Sequence, residues 1–436
     1  MHEMRHVTPP ASVRAAHTPV ATALRATVAM LALLLVGAAL ANPIVVGFVL
    51  PDPDKAAADP LGAAVTRAAE LGVEMAEEEH VFNAMLFGLD FAVAVERASG
   101  EAAVVAAADR LVDEDGALAV AGGFSAAEAA ALAAWSAERG VAFLNVASSD
   151  DRLRHELCAP TAYHVEPSAA MYLDALAGWY VRSGFRNWFF VVEADSVSVS
   201  QYERMLWSLR ERHFGAREVG RVTYDGDAGA VVAAARRANT DLIVLLVPAS
   251  SQLDLLAALE DDGSTTLVAG FPYPEAQTRT FFRASREAAP TLGSDHRATA
   301  WEATLDAYGA REINARFMQT FGEPMEPTAW AAYQAVKIAF EAATLGGDAT
   351  PEGVMAYMDG PQGVFDIWKG IGVSFRSWDR QLRQSLYLVN ISATREADFD
   401  LVSLVGELPA IYMPGTDPVE RLDQLGDLRD RSRCAP

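Results

Sequence analysis

The chain has 436 residues, 51% hydrophobic and 21% charged, with 58 acidic against 35 basic side chains and a formal charge of -23. That length is too great for one ordinary domain, and the composition is that of a folded globular protein. The negative charge repels nucleic acid and anionic membrane surfaces, which excludes both as partners.

Residues 1–41 stand apart. Arg5, Arg14 and Arg25 precede an apolar run at 26–40 that ends in Ala39-Leu40-Ala41. A basic start, an apolar middle and a small-x-small end read as a secretory signal peptide, with cleavage before Asn42. The run is shorter than the ~18–20 residues of a membrane span, so no membrane insertion is expected after its removal. Export permits disulfides. Cys158 and Cys434 are the two cysteines. An even count suggests a bridge tying the tail to the middle of the chain, with two unpaired thiols as the alternative.

The mature chain opens on an apolar run at 43–50, a buried strand. Pro51-Asp-Pro-Asp54 is a turn and 61–79 a helix. The helix closes on Glu77-Glu78-Glu79-His80, a solvated end rather than a metal site. A strand is expected at 86–95 and a helix at 102–112. Then Gly122-Gly123-Phe124-Ser125 ends a short apolar run, and an alanine-rich helix leads to a second run that ends in Ala147-Ser148-Ser149. This is a strand–turn–helix–strand–turn unit of a parallel sheet. Both hydroxyl-bearing turns fall at carboxyl ends of neighbouring strands, the edge where open α/β sheets bind ligands. Helix N-termini there favour an anion.

Residues 160–168 read as a crossing, followed by a helix to about Arg182. From Asn187 the rhythm restarts, with strands at 188–193, 218–224, 241–247 and 265–270 and helices between them. The fold class is α/β, with two doubly wound lobes of similar build. Beyond Phe271 the period predicts a helix at 295–321, a second at 327–345, a short one at 351–358 and hairpin strands within 364–388. The charged tail is mobile unless Cys434 ties it down.

Catalytic motifs are poor. Phosphate loops, dinucleotide glycine motifs and zinc-protease motifs are missing. Gly123-Phe-Ser125-Ala-Ala127 resembles a nucleophile elbow but has alanine in place of its last glycine. A periplasmic hydrolase is the alternative from that class. Ser125, Ser148 and Ser149 can each cap a helix, and a cap can also contact a ligand.

The order of Val45-Val-Gly-Phe-Val-Leu50, Ala119-Val-Ala-Gly-Gly-Phe-Ser125, Leu144-Asn-Val-Ala-Ser148 and Tyr163-His-Val-Glu-Pro-Ser168 resembles the type I periplasmic binding proteins. Within them it resembles the leucine/isoleucine/valine-binding branch that serves ABC importers. The resemblance implies two lobes joined by a three-crossover hinge that close on a ligand, with boundaries at 1–41 for the signal, 42–165 and 300–384 for the first lobe, 166–299 for the second, and 385–436 for the hinge return and tail. It implies a carboxylate cradle at Phe124, Ser125, Ala147, Ser148 and Ser149. From the second lobe it implies an aromatic, matched by Tyr202, and an acid, matched loosely by Glu275 in Phe271-Pro-Tyr273-Pro-Glu275. The usual first turn is replaced by Pro51-Asp-Pro-Asp-Lys55.

Arg297-Ala-Thr-Ala-Trp301 and Ser374-Phe-Arg376-Ser-Trp378 further resemble a sub-branch associated with pyrroloquinoline quinone-dependent alcohol oxidation. On a helix, Arg297 and Trp301 would share a face and suit a planar polyanion; the alternative is a core tryptophan beneath a solvated arginine. Arg376 and Trp378 would share one face of a strand. The expected protein is a periplasmic solute-binding protein without catalysis or cofactor, with a small carboxylate-bearing ligand and an ABC permease as partners. An accessory protein of an alcohol oxidation system, binding a quinone or aromatic acid, is the other reading.

Overall fold

A computed structural model describes residues 43–53, 59–409, 415–432 and 434. The expected signal peptide lies outside the described residues, as does part of the turn after Leu50. The first strand, β1 (Ile44–Leu50), is buried along its whole length because every residue but Gly47 carries an apolar side chain. It is followed by α1 (Pro60–Leu86), β2 (Phe91–Arg97), α2 (Glu101–Asp113), β3 (Ala119–Gly122), α3 (Ala126–Arg139), β4 (Ala142–Asn145) and β5 (Ala162–His164). These strands form one parallel sheet in the order β2-β1-β3-β4-β5. Next come α4 (Ala169–Arg182), β6 (Asn187–Glu193), α5 (Ser196–Glu211), β7 (Arg217–Tyr224), α6 (Ala228–Arg237), β8 (Leu242–Leu246), α7 (Ala249–Asp261) and β9 (Leu267–Gly270). They build a second parallel sheet in the order β7-β6-β8-β9. After α8 (Arg279–Ala288) follow β10 (His296–Thr299), α9 (Ala310–Phe321), α10 (Pro327–Leu345), α11 (Pro351–Asp359), β11 (Leu386–Ile391), β12 (Val402–Leu408) and α12 (Pro418–Leu422). Strands β10, β11 and β12 make a small antiparallel sheet.

Core membership marks where the chain passes between lobes. Val165 is in the first lobe's core and Ala169 in the second's; Ala300 is in the second and Trp301 in the first; Leu382 is in the first and Leu386 in the second. Those are three crossovers, as the fold class requires. Buried amides bind them to one another. Gln381 Nε2 donates to the carbonyls of His164 and Glu166, each at 3.1 Å. Gln384 Nε2 donates to Val165 O at 2.6 Å. Gln277 Oε1 accepts from Ala300 N at 2.8 Å, and its Nε2 donates to the Tyr172 hydroxyl, which donates to Glu166 at 3.0 Å. Burial raises the Glu166 carboxyl to about 8.

Several expected elements are different. Helix α1 does not stop at Glu79 but runs to Leu86, which moves the next strand from 86–95 to β2. The acidic run is engaged by neighbouring elements: Glu77 accepts from Val93 N at 3.0 Å and Glu79 from the Tyr333 hydroxyl at 2.6 Å, and Arg316 pairs with Glu79. Helix α1 lies so close to α10 that a Cβ at Gly72 would meet Ala329 O at 2.2 Å.

The helix expected at 295–321 begins only at Ala310. Residues 296–299 are instead recruited as β10 by β11, with Arg297 opposite Val389. Gly309 at φ 85° then precedes the helix. Residues 364–385 are not a hairpin. Gly370 and Gly372 have φ 103° and 82°, and only the isolated bridges His164↔Gln381 and Phe375↔Leu382 occur there. The expected bridge between Cys158 and Cys434 is present, with Cα atoms 5.7 Å apart.

Candidate ligand site between the lobes

Strand β3 ends in Gly122-Gly123, where Gly123 has φ 87° and a Cβ would press on Phe143 and Ala129 at 3.0–3.1 Å. The turn delivers Phe124 and Ser125 to the cleft, and Ser125 Oγ accepts from Glu128 N at 3.2 Å as the N-cap of α3. The adjacent turn is shaped by Asn145 at the end of β4. Its Oδ1 accepts from Ser148 N at 3.0 Å and its Nδ2 donates to Ser148 O at 2.7 Å. With its backbone so engaged, Ser148 is held at the wall of the cleft. The residue is 5% exposed, and its Oγ has no partner among the described residues.

The second lobe supplies the facing wall. Asp195 caps α5, accepting from Val197 N at 2.8 Å and Ser198 N at 3.0 Å. Helix α7 begins at Ala249 without a side-chain cap, leaving its first N–H groups to the cleft. After β9, Tyr273 donates its hydroxyl to Gln201 Oε1 at 3.0 Å. Glu275 follows two residues on. The N-terminus of α1 completes the wall with Asp59, which accepts from Leu61 N and Gly62 N at 3.0 and 3.1 Å. Together these groups enclose a cavity of about 500 Å³.

Four carboxylates, Asp59, Asp150, Asp195 and Glu275, line this cavity, with no Lys or Arg among the described lining residues. Three are already engaged. Asp59 and Asp195 cap helices, and Asp150 accepts Arg152 Nη2 at 2.6 Å. Burial pushes the Asp195 carboxyl up, but hydrogen bonds from Ser198 and the Val197 N–H outweigh it and hold it below its ordinary value. Glu275 differs: no other described residue hydrogen-bonds to its carboxyl, and burial raises its pKa. A partly buried carboxylate served only by its own backbone N–H favours a cation beside it.

Phe124, Ser125, Ala147, Ser148, Ser149, Tyr273 and Glu275 therefore meet in one cavity. Three expected site residues do not join them. Tyr202 is buried in the second lobe, where its hydroxyl donates to Glu218 at 2.9 Å and Arg221 lies 4.6 Å from its ring centre. Tyr273 is the aromatic that the cavity does have. Arg297 lies on β10, not on a helix, with Nη1 bonded to His296 O at 3.0 Å. Trp301 is 0% exposed in the first lobe's core, stacked on Trp330 at 5.7 Å, with Nε1 donating to Asn314 at 3.0 Å. That arginine and tryptophan thus share no ligand-facing surface. Arg376 and Trp378 are likewise not on a strand, and Arg376 donates to Asp423 at 2.9 Å and Leu425 O at 2.6 Å.

Sequence reasoning missed Asp59, Asp195 and the start of α7. Asp59-Pro60 before an apolar helix was the available signal for the first, since Asp at N-cap and Pro at N1 open helices. No histidine lines the cavity among the described residues, so Ser125 has no imidazole there to serve as its base.

Two parallel-sheet lobes joined by three crossovers, with a cavity between them, are the architecture of a two-lobed binding protein. The family described as periplasmic binding protein matches residues 43–396, and the chain belongs to it. Solved structures agree on the fold. The chain resembles a branched-chain amino acid ABC transporter periplasmic ligand-binding protein from Burkholderia xenovorans at 17% identity and TM-score 0.75, covering 90% of this chain and 99% of that one. It resembles a solute binding protein of an ABC transporter from Rhodopseudomonas palustris, in complex with 3,4-dihydroxybenzoic acid, at 16% identity and TM-score 0.67, covering 86% and 99%. It also resembles a branched-chain amino acid transporter substrate binding protein from Streptococcus pneumoniae, in complex with isoleucine, at 16% identity and TM-score 0.66, covering 83% and 99%. None of the curated protein sequences matches the chain.

Proposed function

We propose that the protein is the exported solute-binding component of an ABC importer and that it binds a small zwitterion of the amino-acid type without turning it over. The observation that carries this reading is Ser148, which lines the cavity and whose buried hydroxyl has no partner among the described residues. A ligand carboxylate at Ser148 and Ser149 would also meet the N-terminus of α3, which attracts anions. The ligand ammonium would face Glu275, the one cavity carboxyl to which no other described residue donates. Residues 42–165 with 300–384 would then close as one body against 166–299, and the permease would receive the ligand from the closed form. Residues 1–41 would direct export to the periplasm.

An aromatic acid or a quinone polyanion fits less well. It would bring negative charge beside Glu275, with no lining Lys or Arg to balance it. The arginine–tryptophan pairs that suggested an alcohol oxidation system are taken up inside the fold.

Calorimetry tests the reading with L-isoleucine, its des-amino analogue 3-methylpentanoate, and 3,4-dihydroxybenzoate. The zwitterion should bind best and the des-amino acid at least about tenfold more weakly, as for loss of a charge-assisted contact. Glu275→Gln should erase that gap. Affinity for the zwitterion should rise with pH as the raised Glu275 carboxyl ionises. Tighter binding of the dihydroxybenzoate, or a gap that survives Glu275→Gln, would overturn the assignment.

A further inference from the structure

Beyond α12 the chain makes a path that the three crossovers do not explain. It begins on the first lobe: Leu422 is in that lobe's core, and the Asp423 carboxylate accepts from Arg376 Nε and Arg383 Nε, both at 2.9 Å. It then dips into the second lobe. Leu425 is 4% exposed in the second core. Gly426 N donates to Asp174 Oδ2 at 3.0 Å, while Gly426 O accepts from Arg212 Nη1 at 2.8 Å. Gly426 has φ 86°, and a Cβ there would lie 2.7 Å from Met171 Cγ, so the segment sits flush on α4. The path finally returns to the first lobe, where Ser432 Oγ donates to Trp378 O at 2.6 Å and Cys434 is bridged to Cys158.

Between these anchors Asp427 touches both lobes. Its carboxylate pairs with His155, just after the helical turn Asp151–Arg154 of the first lobe, and accepts from Arg204 Nε of α5 at 3.2 Å. The same two elements face the ligand cavity. Asp150 and Ser198 line it, and Arg204 is six residues further along α5, roughly 9 Å at helical rise. A groove of about 220 Å³ beside the cleft is lined by Asp151 and His155 from one lobe, Arg204 and Trp207 from the other, and Asp427.

We propose that residues 418–432, closed by the Cys158–Cys434 bridge, form a latch that clamps the lobes together at the flank of the cleft and limits their opening. Swinging α5 away from residues 151–155 parts His155 from Arg204, and Asp427 cannot follow both. Because the latch is fastened to the first lobe on both sides of 425–427, opening must draw Leu425 out of the second core and break the bonds at Gly426. The latch therefore biases the empty protein toward closure, and releasing one anchor shifts that equilibrium. The proposal does not depend on which ligand the cavity takes.

Small-angle scattering and hydrogen exchange on the unliganded full-length mature protein test it. The oxidised parent, the reversibly reduced parent, Cys434→Ser and Asp427→Ala are compared. The expected result is a larger radius of gyration on reduction and in both variants, with exchange at 425–427 faster by on the order of tenfold as local opening becomes easier. Reoxidation should restore the compact form. Faster exchange at an unchanged radius of gyration would overturn the latch and leave a surface strap. Loss of cooperative melting in every released form would also overturn it, because the segment would then belong to the folding core.

Discussion

Ser148 in the cleft and Asp174 beneath the C-terminal segment are both buried polar residues, 5% and 1% exposed, and they are treated in opposite ways. Asp174 accepts from Arg204 Nη1 and Nη2 at 3.0 and 2.8 Å, from Ser208 Oγ at 2.7 Å and from Gly426 N at 3.0 Å, and it pairs with Arg212. Ser148 Oγ has no such partner, and the residue lines the cavity. Burying a polar group without a partner is unfavourable, so a fold tolerates it where something else completes the bond. An unpartnered atom does not suffice by itself. The Gln334 amide is also unpartnered and buried, yet it borders none of the described cavities. The site is marked by the conjunction of an unmet polar atom and a cavity. By the same test the arginine-bearing stretches at 297–301 and 374–384, whose chemistry suits anions, belong to the scaffold.

This contrast can be broken most severely at Asp174. Asp174→Ala would leave buried Arg204 and half-buried Arg212 without their shared anion, a change of roughly 3–5 kcal/mol when one partner of a buried pair is removed. Urea unfolding should show that loss.

A second test uses acid. Burial lowers His80 from its ordinary 6.5 to about 4, in a position where it stacks on Phe340 at 4.7 Å. A depressed imidazole contributes stability that is complete above the unfolded value and lost as pH falls from 6.5 through about 4. The loss should approach roughly 3 kcal/mol, and His80→Phe should flatten the stability–pH curve in that window. An unchanged slope would mean the imidazole is charged in the fold.

At the cleft the expectation reverses, with large effects on binding and small ones on folding. Ser148→Ala should weaken binding of the zwitterion by about 10- to 100-fold, equivalent to roughly 1.5–3 kcal/mol, with unfolding free energy within about 0.5 kcal/mol of the parent. A fall in stability with intact affinity would make Ser148 a scaffold residue. Ser125 should behave as an intermediate, because its Oγ already accepts from Glu128 N. Ser125→Ala should lower stability by about 1 kcal/mol and cost less affinity than Ser148→Ala. Paired melting and calorimetry separate the two roles.

Local chemistry settled more about the lobes than about what faces the ligand. The apolar runs of β1, β3, β4 and β8 are legible because strands buried on both faces are continuous in sequence. The turns at Ser125 and Ser148 are legible because strand ends followed by hydroxyl residues and helices have few conformational solutions. Cys158 and Cys434 could be paired because the chain holds two cysteines and an export signature. Tertiary structure alone decided the rest. Trp301 and Leu305 repeat at helical spacing, yet they come from a loop, not a helix, that buries both in the first lobe's core. Residues 296–299 became a strand because β11, some 90 residues away, offers them an edge. Glu77 and Glu79 looked like a helix end because their partners, Val93, Tyr333 and Arg316, lie on other elements. Whether a polar side chain is already engaged is a property of its neighbours in space. Periodicity reports which face a residue occupies; only the assembled lobes decide that Ser148 and Glu275 are left for a ligand while Arg297, Arg376 and Asp174 are consumed by the fold.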